Sequence, residues 1–348
     1  MTGKKRDSLE PVRWKNGVLE AIDTTRLPSR LVYVRMRTVD QVCSAIRSMK
    51  VRGAPLIGVV GAYGLVLAAM SVRGGDLEHA RSRLRKSADT LVLTRPTGVN
   101  LRWAVERVFK ASSRARSVKS LSDELRREAD MILREELEAA HKIGRFGAAL
   151  IEDEDTVLTH CNAGSLATAG YGTALAVVRS AVEEGKRVSV IATETRPLLQ
   201  GSRLTAFELA RDGIPVRVIC DSAAAQLMAQ GVVDKVVVGA DRILGTGHVT
   251  NKIGTLPIAL GAKFCGVPFY VAAPVSTLDL VTDASQVVIE ERDQQEVLSV
   301  GGKRFSPRNV GALNPAFDIT PPELVTGIVT DSGVVRQPLA ENIQKMFG

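Results

Sequence analysis

The sequence predicts an α/β protein in two parts: a mainly helical N-terminal part with a small β-sheet over residues 1–150, and a C-terminal part built on a mostly parallel sheet over residues 151–348. Three observations carry this prediction. The chain has 348 residues, enough for two domains of ordinary size. Its charge is uneven: residues 1–150 hold 29 Lys and Arg against 16 Asp and Glu, whereas residues 151–348 hold 17 against 22. The hydrophobic pattern also changes near residue 151, from helical spacing to short apolar runs that alternate with helical ones. That alternation is the mark of strands joined by helices.

In the first part, short strand-like runs at residues 17–22 and 31–34 flank a turn at Pro28-Ser29. Residues 39–49 follow with helical spacing through Val39, Val42, Ala45, Ile46 and Met49. Lys50-Val51-Arg52-Gly53-Ala54-Pro55 then makes a cationic, bent junction into an uncharged run, residues 53–70, with glycines at 58, 61 and 64. Glycines three apart let backbones pack closely, so this run reads as a helix buried in protein. It is also short for a membrane span, which needs about 20 apolar residues. Residues 76–145 read as helical with a break at Thr94-Arg95-Pro96-Thr97. Arg52 and Arg95, each on a bent helix entry, together resemble a two-armed phosphate clamp.

In the second part, strand-like runs fall at 156–159, 187–192, 216–219, 235–238 and 268–271, and helical runs at 174–183, 205–211, 222–230 and 254–265. Just after the five strands come Cys161, Glu194, Asp221, Asp241 and Pro274. Ligands of open α/β sheets bind outside the carboxyl ends of the strands, so one crevice can collect several of these groups. The stretch from Thr159 to Thr173 sets a thiol, an amide and three glycines after the first strand. Free backbone N–H groups at such a turn bind anions and favour a thiolate. Asp241 emerges from the apolar run Val236-Val237-Val238-Gly239-Ala240, and burial would suit it to donate a proton. Asn251-Lys252-Ile253-Gly254 reads as a helix start carrying a cation and amides, a third anion contact.

Several functions are excluded or disfavoured. The first strands carry no G-x-G-x-x-G and the chain no P-loop lysine motif, so neither a dinucleotide nor a nucleotide triphosphate is indicated, and no cofactor is expected. The four histidines and four cysteines show no metal-ligand spacing, and unpaired cysteines fit a reducing cytoplasm. The net charge is +8, but aromatics make up only 4%. A stacking platform for nucleic acid is therefore not expected. The polar start of the chain shows no secretory signal.

The landmarks Lys50-Val51-Arg52-Gly53-Ala54-Pro55, Thr94-Arg95-Pro96-Thr97-Gly98-Val99-Asn100, Thr159-His160-Cys161-Asn162-Ala163-Gly164, Thr193-Glu194-Thr195-Arg196-Pro197, Gln200-Gly201-Ser202-Arg203, Gly239-Ala240-Asp241-Arg242, Asn251-Lys252-Ile253-Gly254-Thr255 and Asn314-Pro315-Ala316-Phe317-Asp318 stand in this order. With them the chain resembles the methylthioribose-1-phosphate isomerase family, within the larger group that includes ribose-1,5-bisphosphate isomerase and the initiation factor 2B regulatory subunits. The resemblance implies a Rossmann-like C-terminal domain and a homodimer. It implies that Cys161 and Asp241 are the catalytic pair. It also implies that Arg52, Gly53, Ala54, Arg95, Gln200, Asn251 and Lys252 bind a sugar phosphate substrate. The chain departs from the family at His248 and Thr250, where an acidic residue and an alanine are usual, and at Leu198-Leu199, where more polar residues are usual.

The implied chemistry needs two groups. An aldose 1-phosphate is locked as a ring because its anomeric oxygen is esterified. One group must protonate the ring oxygen, and a hydrogen must move from C2 to C1. Asp241 is expected to be the general acid. Cys161 either abstracts the C2 proton or stabilises a hydride shift.

Overall fold

The computed structural model describes residues 9–72, 74–95 and 98–348; Pro96 and Thr97 of the expected Pro turn lie outside them. The chain forms two compact units. One holds the described residues up to His141 together with Gly164–Gly172; the other holds Lys142–Ala163 and Thr173–Gly348.

In the first unit, strands β1 (Val12–Lys15), β2 (Val18–Ile22) and β3 (Tyr33–Met36) form an antiparallel sheet. Helices α1 (Val39–Arg47), α2 (Ala54–Met70), α3 (Leu77–Val92) and α4 (Val99–Ala111) follow, and then α5 (Val118–Ala148), whose residues from Lys142 onward belong to the second unit. Thr38 and Asp76 cap α1 and α3 by accepting from the backbone N–H three residues on, which satisfies donors no helix can satisfy itself. Helix α2 is buried from Ala54 to Ala69 and packs against α1, α3 and α4. Its glycines explain how. A Cβ at Gly58 would lie 2.9 Å from the carbonyl oxygen of Asn100, and one at Gly61 would lie 2.4 Å from Leu101 Cδ1, so α2 and α4 touch almost backbone to backbone. Among the described residues no helix is long and apolar enough to cross a membrane.

The second unit begins with β4 (Thr156–Thr159), α6 (Ala174–Glu183), β5 (Ser189–Thr193), α7 (Ala206–Asp212), β6 (Val216–Ile219), α8 (Ala224–Ala229) and β7 (Lys235–Val238). It continues with β8 (Arg242–Leu244), β9 (Val249–Lys252), α9 (Thr255–Cys265), β10 (Phe269–Ala272) and β11 (Leu278–Asp279). Then come α10 (Gln295–Leu298), β12 (Ser299–Val300), β13 (Lys303–Arg304), β14 (Phe317–Thr320), β15 (Gly327–Thr330), β16 (Gly333–Arg336) and α11 (Leu339–Phe347). The main sheet has the order β16-β15-β10-β7-β4-β5-β6 and is parallel except at β16, which forms a hairpin with β15. The mixed α/β class and the largely parallel sheet agree with the sequence reading. Strands β4, β7 and β10 are buried nearly throughout, as expected of a parallel sheet covered on both faces.

A second sheet, β11-β8-β9-β14, was not expected. Residues 251–252, read as a helix start, are instead the end of β9, paired antiparallel with β14 so that Asn251 faces Asp318 and Lys252 faces Phe317. The helix begins only at Thr255. A partner more than sixty positions away along the chain decides this strand, and local spacing carries no trace of it.

Candidate functional site

In the order of the main sheet the chain moves outward from β4 to β5 to β6, then returns to place β7 on the other side of β4. The sheet therefore changes direction between β4 and β7, and crevices open at the carboxyl ends of strands at such a point. Cys161 follows β4 and Asp241 follows β7. The two strands are parallel neighbours with Leu158 opposite Val236. The turns beyond them are in contact: a Cβ on Gly239 would lie 2.8 Å from the Cβ of Ala163. The topology thus brings Cys161 and Asp241, eighty residues apart in sequence, to adjacent strand ends.

Cys161 is 7% exposed and has a left-handed backbone, with φ of 60°. Two threonine hydroxyls hold it there. Its N–H donates to Thr195 Oγ1 at 2.9 Å, and its carbonyl accepts from Thr205 Oγ1 at 2.6 Å. The expectation of free amides along this turn needs correction. The N–H groups of Thr173 and Leu175 donate to Ala163 O, and that of Cys161 is taken by Thr195. Helix α6 starts only at Ala174, so Cys161 does not sit at its N-terminus. Beneath the turn lies a buried polar cluster. Asn162 Nδ2 donates to Glu208 Oε1 at 2.8 Å, and Glu208 pairs with Arg179, which also pairs with Asp212. Burial works against the Arg179 charge, but Glu208 and Asp212 hold its pKa above the usual value.

Asp241 is half-buried, and its N–H donates to Thr250 O at 2.9 Å, tying it to β9 one residue before Asn251. The neighbouring Arg242 pairs with Asp279 at 3.3 Å. Asn251 Nδ2 donates to Thr255 Oγ1 at 3.0 Å, and Lys252 Nζ donates to Ala316 O at 3.0 Å while standing 4.8 Å over the Phe317 ring. The amides of the α9 start are not open to an anion: Asp318 Oδ2 accepts the N–H groups of Gly254 at 2.8 Å and Leu256 at 3.1 Å. Burial raises the pKa of Asp318 to about 6, against the lowering effect of those amides and of Lys252. Its other oxygen, Oδ1, is buried with no hydrogen-bond partner among the described residues.

Gln200 opens the irregular helical turn before α7 and is 3% exposed, and its Oε1 is likewise buried without a partner among the described residues. Leu198 and Leu199 are half-buried. Asp221, after β6, is spent on structure: its two oxygens accept the N–H groups of Thr195 and Arg196, each at 2.7 Å. His248 Nδ1 lies 2.9 Å from Thr246 Oγ1, and the Thr250 hydroxyl is buried without a partner among the described residues.

In the first unit, Arg52 is 7% exposed and Gly53 turns the chain into α2 with φ of 97°. A Cβ on Gly53 would lie 2.4 Å from the carbonyl oxygen of Ala167, so only glycine permits that approach. Ala54 is the first residue of α2. Arg95 follows α3, and its Nη1 is 3.4 Å from Met49 Sδ. The structure therefore brings Arg95 to the loop that carries Arg52, which no spacing in the sequence indicates.

Among the described residues no group of His, Cys, Asp and Glu is arranged to hold a metal. Residues that the sequence reading passed over are His160, Thr195, Thr205 and Asp318. His160 and Thr195 lie inside the motifs it marked, Asp318 closes the last one, and Thr205 opens the helical run at 205–211.

The family model described as "Initiation factor 2 subunit family" matches residues 50–337. A relative from Carboxydothermus hydrogenoformans, named methylthioribose-1-phosphate isomerase, is 49% identical over 98% of this chain and 99% of its own. The solved 5-methylthioribose 1-phosphate isomerase from Pyrococcus horikoshii is 41% identical, covers 97% of this chain and 95% of that one, and superposes with a TM-score of 0.89. A structure from A. fulgidus, titled translation initiation factor eIF-2B subunit delta, is 48% identical over 97% of this chain and 99% of that one, with a TM-score of 0.86. The resemblance drawn from the motifs is borne out.

Proposed function

The chain belongs to the initiation factor 2 subunit family, and within it we propose that the chain is an aldose–ketose isomerase that converts 5-methylthio-α-D-ribose 1-phosphate to 5-methylthio-D-ribulose 1-phosphate in methionine salvage. The observation that carries the reading is the pairing of Cys161 and Asp241 at the adjacent ends of β4 and β7, where the sheet changes direction. The names borne by relatives at about half identity support it.

In this reading Asp241 donates a proton to the ring oxygen as the C1–O bond opens. The hydrogen at C2 then passes to C1 while the C2 hydroxyl becomes a carbonyl, its O–H proton restoring the Asp241 carboxyl. Cys161 takes the C2 proton as a base, leaving an enol phosphate that is reprotonated at C1, or it stabilises the charge as the hydrogen shifts with its electron pair. Arg52 and Arg95 with Gly53, Ala54, Gln200, Asn251 and Lys252 bind the sugar phosphate, a positioning and electrostatic contribution. The apolar pair Leu198-Leu199 before Gln200 favours an apolar group at C5 over the second phosphate of ribose 1,5-bisphosphate; 5-deoxyribose 1-phosphate is the nearest alternative. The protein works as a homodimer in the cytoplasm, without nucleic acid.

Phosphorus NMR tests this. Purified protein given 5-methylthioribose 1-phosphate should produce a ketose 1-phosphate signal that Cys161→Ser and Asp241→Asn lose. Turnover of ribose 1,5-bisphosphate alone would keep the mechanism and change the substrate. The name of the A. fulgidus structure favours a second reading, a regulatory subunit that binds a sugar phosphate or nucleotide and a protein partner. Silence with every sugar phosphate, together with saturable binding, would establish it.

A further inference from the structure

The left-handed backbone of Cys161 is one end of a chain of hydrogen bonds in the second unit. Its N–H meets Thr195 Oγ1 at 2.9 Å; Thr195 Oγ1 lies 3.1 Å from Thr193 Oγ1; Thr193 Oγ1 lies 2.7 Å from His160 Nδ1; and His160 Nε2 lies 2.8 Å from the carbonyl oxygen of Ile253. His160, Thr193 and Thr195 are 1%, 0% and 0% exposed, so bulk solvent does not reach these links.

The two ends fix the protons at His160 Nε2 and at the Cys161 amide, and the tautomer of His160 sets the direction of the links between them. A carbonyl oxygen only accepts, so Nε2 of His160 must carry hydrogen. An amide N–H only donates, so Thr195 Oγ1 accepts from Cys161. The hydroxyl of Thr195 then donates to Thr193, and that of Thr193 donates to Nδ1. Every donor and acceptor is used once, provided that Nδ1 has no proton. A second proton on the ring would turn the Thr193 hydroxyl back toward Thr195. Thr195 would then have to swing its own hydrogen to Thr193 O, at 3.3 Å, and the chain would reverse.

We propose that His160, as the Nε2–H tautomer, is a positioning residue for Cys161: it ends a one-way chain of hydrogen bonds that holds the thiol-bearing backbone left-handed and ties it to the carbonyl beside Lys252. The role rests on the reading of Cys161 as a reacting group. Two further observations fit it. The His160 ring lies against Gly254, where a Cβ would come within 2.9 Å of Cε1 and φ is 104°. Thr195 is itself left-handed, with φ of 63°, and is held by Asp221 on its N–H. Left-handed residues with side chains are strained, and strain of this kind collects where function needs it. Burial lowers the pKa of the His160 ring; the hydrogen bond to the Ile253 carbonyl and the charge of Asp221 oppose the shift, and the charge of Lys252 adds to it.

The test has two arms. Full-length protein labelled with 15N-histidine is followed by long-range proton–nitrogen correlation between pH 5.5 and 8.5, with the His160 signals identified by their loss in His160→Asn. Only three other histidines compete. The expected result is the Nε2–H form at every pH. An Nδ1–H form, or titration within that range, overturns the proposal. In the second arm, Thr195→Val is expected to lower kcat about 10²-fold with KM within about twofold, the scale of a reacting group displaced by an ångström. Thr195→Ser, which keeps the hydroxyl, should recover most of that loss. Normal kcat in Thr195→Val, or a serine variant as poor as the valine one, overturns it. Cys161→Ser is measured beside them. If it turns over normally, the reading of Cys161 fails and the positioning role falls with it. If it is dead while Thr195→Val is normal, only the positioning role fails.

Discussion

Asp318 offers the sharpest test of the packing around Lys252. Its carboxylate accepts two backbone N–H groups at the start of α9, yet one oxygen is buried without a partner and its pKa rises to about 6 from an ordinary 3.8, with burial as the main cause. A group whose folded pKa is raised adds stability that is fully present below the unfolded value and is lost as pH rises through the folded one. Here the window runs from about pH 4 to about pH 7. Linkage between those two pKa values gives the wild type about 1.4 kcal/mol more from this group at pH 5 than at pH 7.5. Asp318→Asn fills nearly the same space and does not titrate. The stability of wild type minus variant should therefore fall by about 1.4 kcal/mol between pH 5 and pH 7.5, all other titrating groups being common to both. Urea unfolding at half-unit pH steps measures the difference directly. A constant difference, or one that grows with pH, would refute the reasoning, because it would mean the carboxyl keeps an ordinary or depressed pKa in the folded protein.

The other predictions concern the cluster below Cys161, the phosphate arm and the hydrogen transfer. Glu208 has a fully buried side chain between Arg179 and Asn162, so Glu208→Ala should cost about 3 kcal/mol by leaving the buried Arg179 guanidinium with Asp212 alone and Asn162 without this acceptor; calorimetry should show the melting temperature falling by about 6–12 °C, and a fall of a degree or two would contradict the pairing. Arg95→Met should raise KM about 10–100-fold with kcat nearly unchanged, if Arg95 holds the phosphate by charge-assisted hydrogen bonds worth about 1.5–3 kcal/mol; steady-state kinetics decides. Turnover in deuterium oxide should put deuterium on C1 of the ketose if Cys161 works as a base, and leave C1 unlabelled if hydrogen shifts directly; proton NMR of the product reads which.

The strands and helices that the sequence declared by their own pattern are those whose neighbours in sequence are also their neighbours in space. Strands β4 and β7 begin and end where their apolar runs do, because a strand buried on both faces is apolar nearly throughout. The buried helix α2 was legible for the same reason, with its glycines marking the close contact with α4. The sheet containing β9 and β14 was not legible. Its strands hold the polar residues Thr250, Asn251, Lys252 and Asp318, and each strand is stabilised by a distant partner rather than by its own spacing. The polar residues at the strand ends were legible as motifs, but their roles were not. Asp221 looked like a site residue by position and proves to be a bracket for two backbone N–H groups. His160 was read only as the residue before Cys161, because a hydrogen-bond chain through Thr193 and Thr195 has no periodicity to betray it.

One feature of Cys161 bears on the choice between an enzyme and a regulatory subunit. Its φ of 60° lies where a side chain costs about 1–2 kcal/mol and glycine costs little. Glycine is abundant on the same turn, at positions 164, 170 and 172, so a protein that needed only the shape of this loop would lose nothing by a glycine at 161. A thiol kept in a left-handed position, at a direction change of the sheet and beside Asp241, is better explained by what the sulfur does than by how it packs. The prediction compares two variants that both lack the thiol. Cys161→Ala retains the strain and Cys161→Gly relieves it, so the glycine variant should be more stable by about 1 kcal/mol, read from urea midpoints at equal slope. Both should be inactive in the phosphorus NMR assay. An alanine variant as stable as the glycine one would show that the loop relaxes and that the strain argument is empty. Two stable variants with undiminished turnover would remove Cys161 from the chemistry, leaving Asp241 as the only one of the pair with a claim to it.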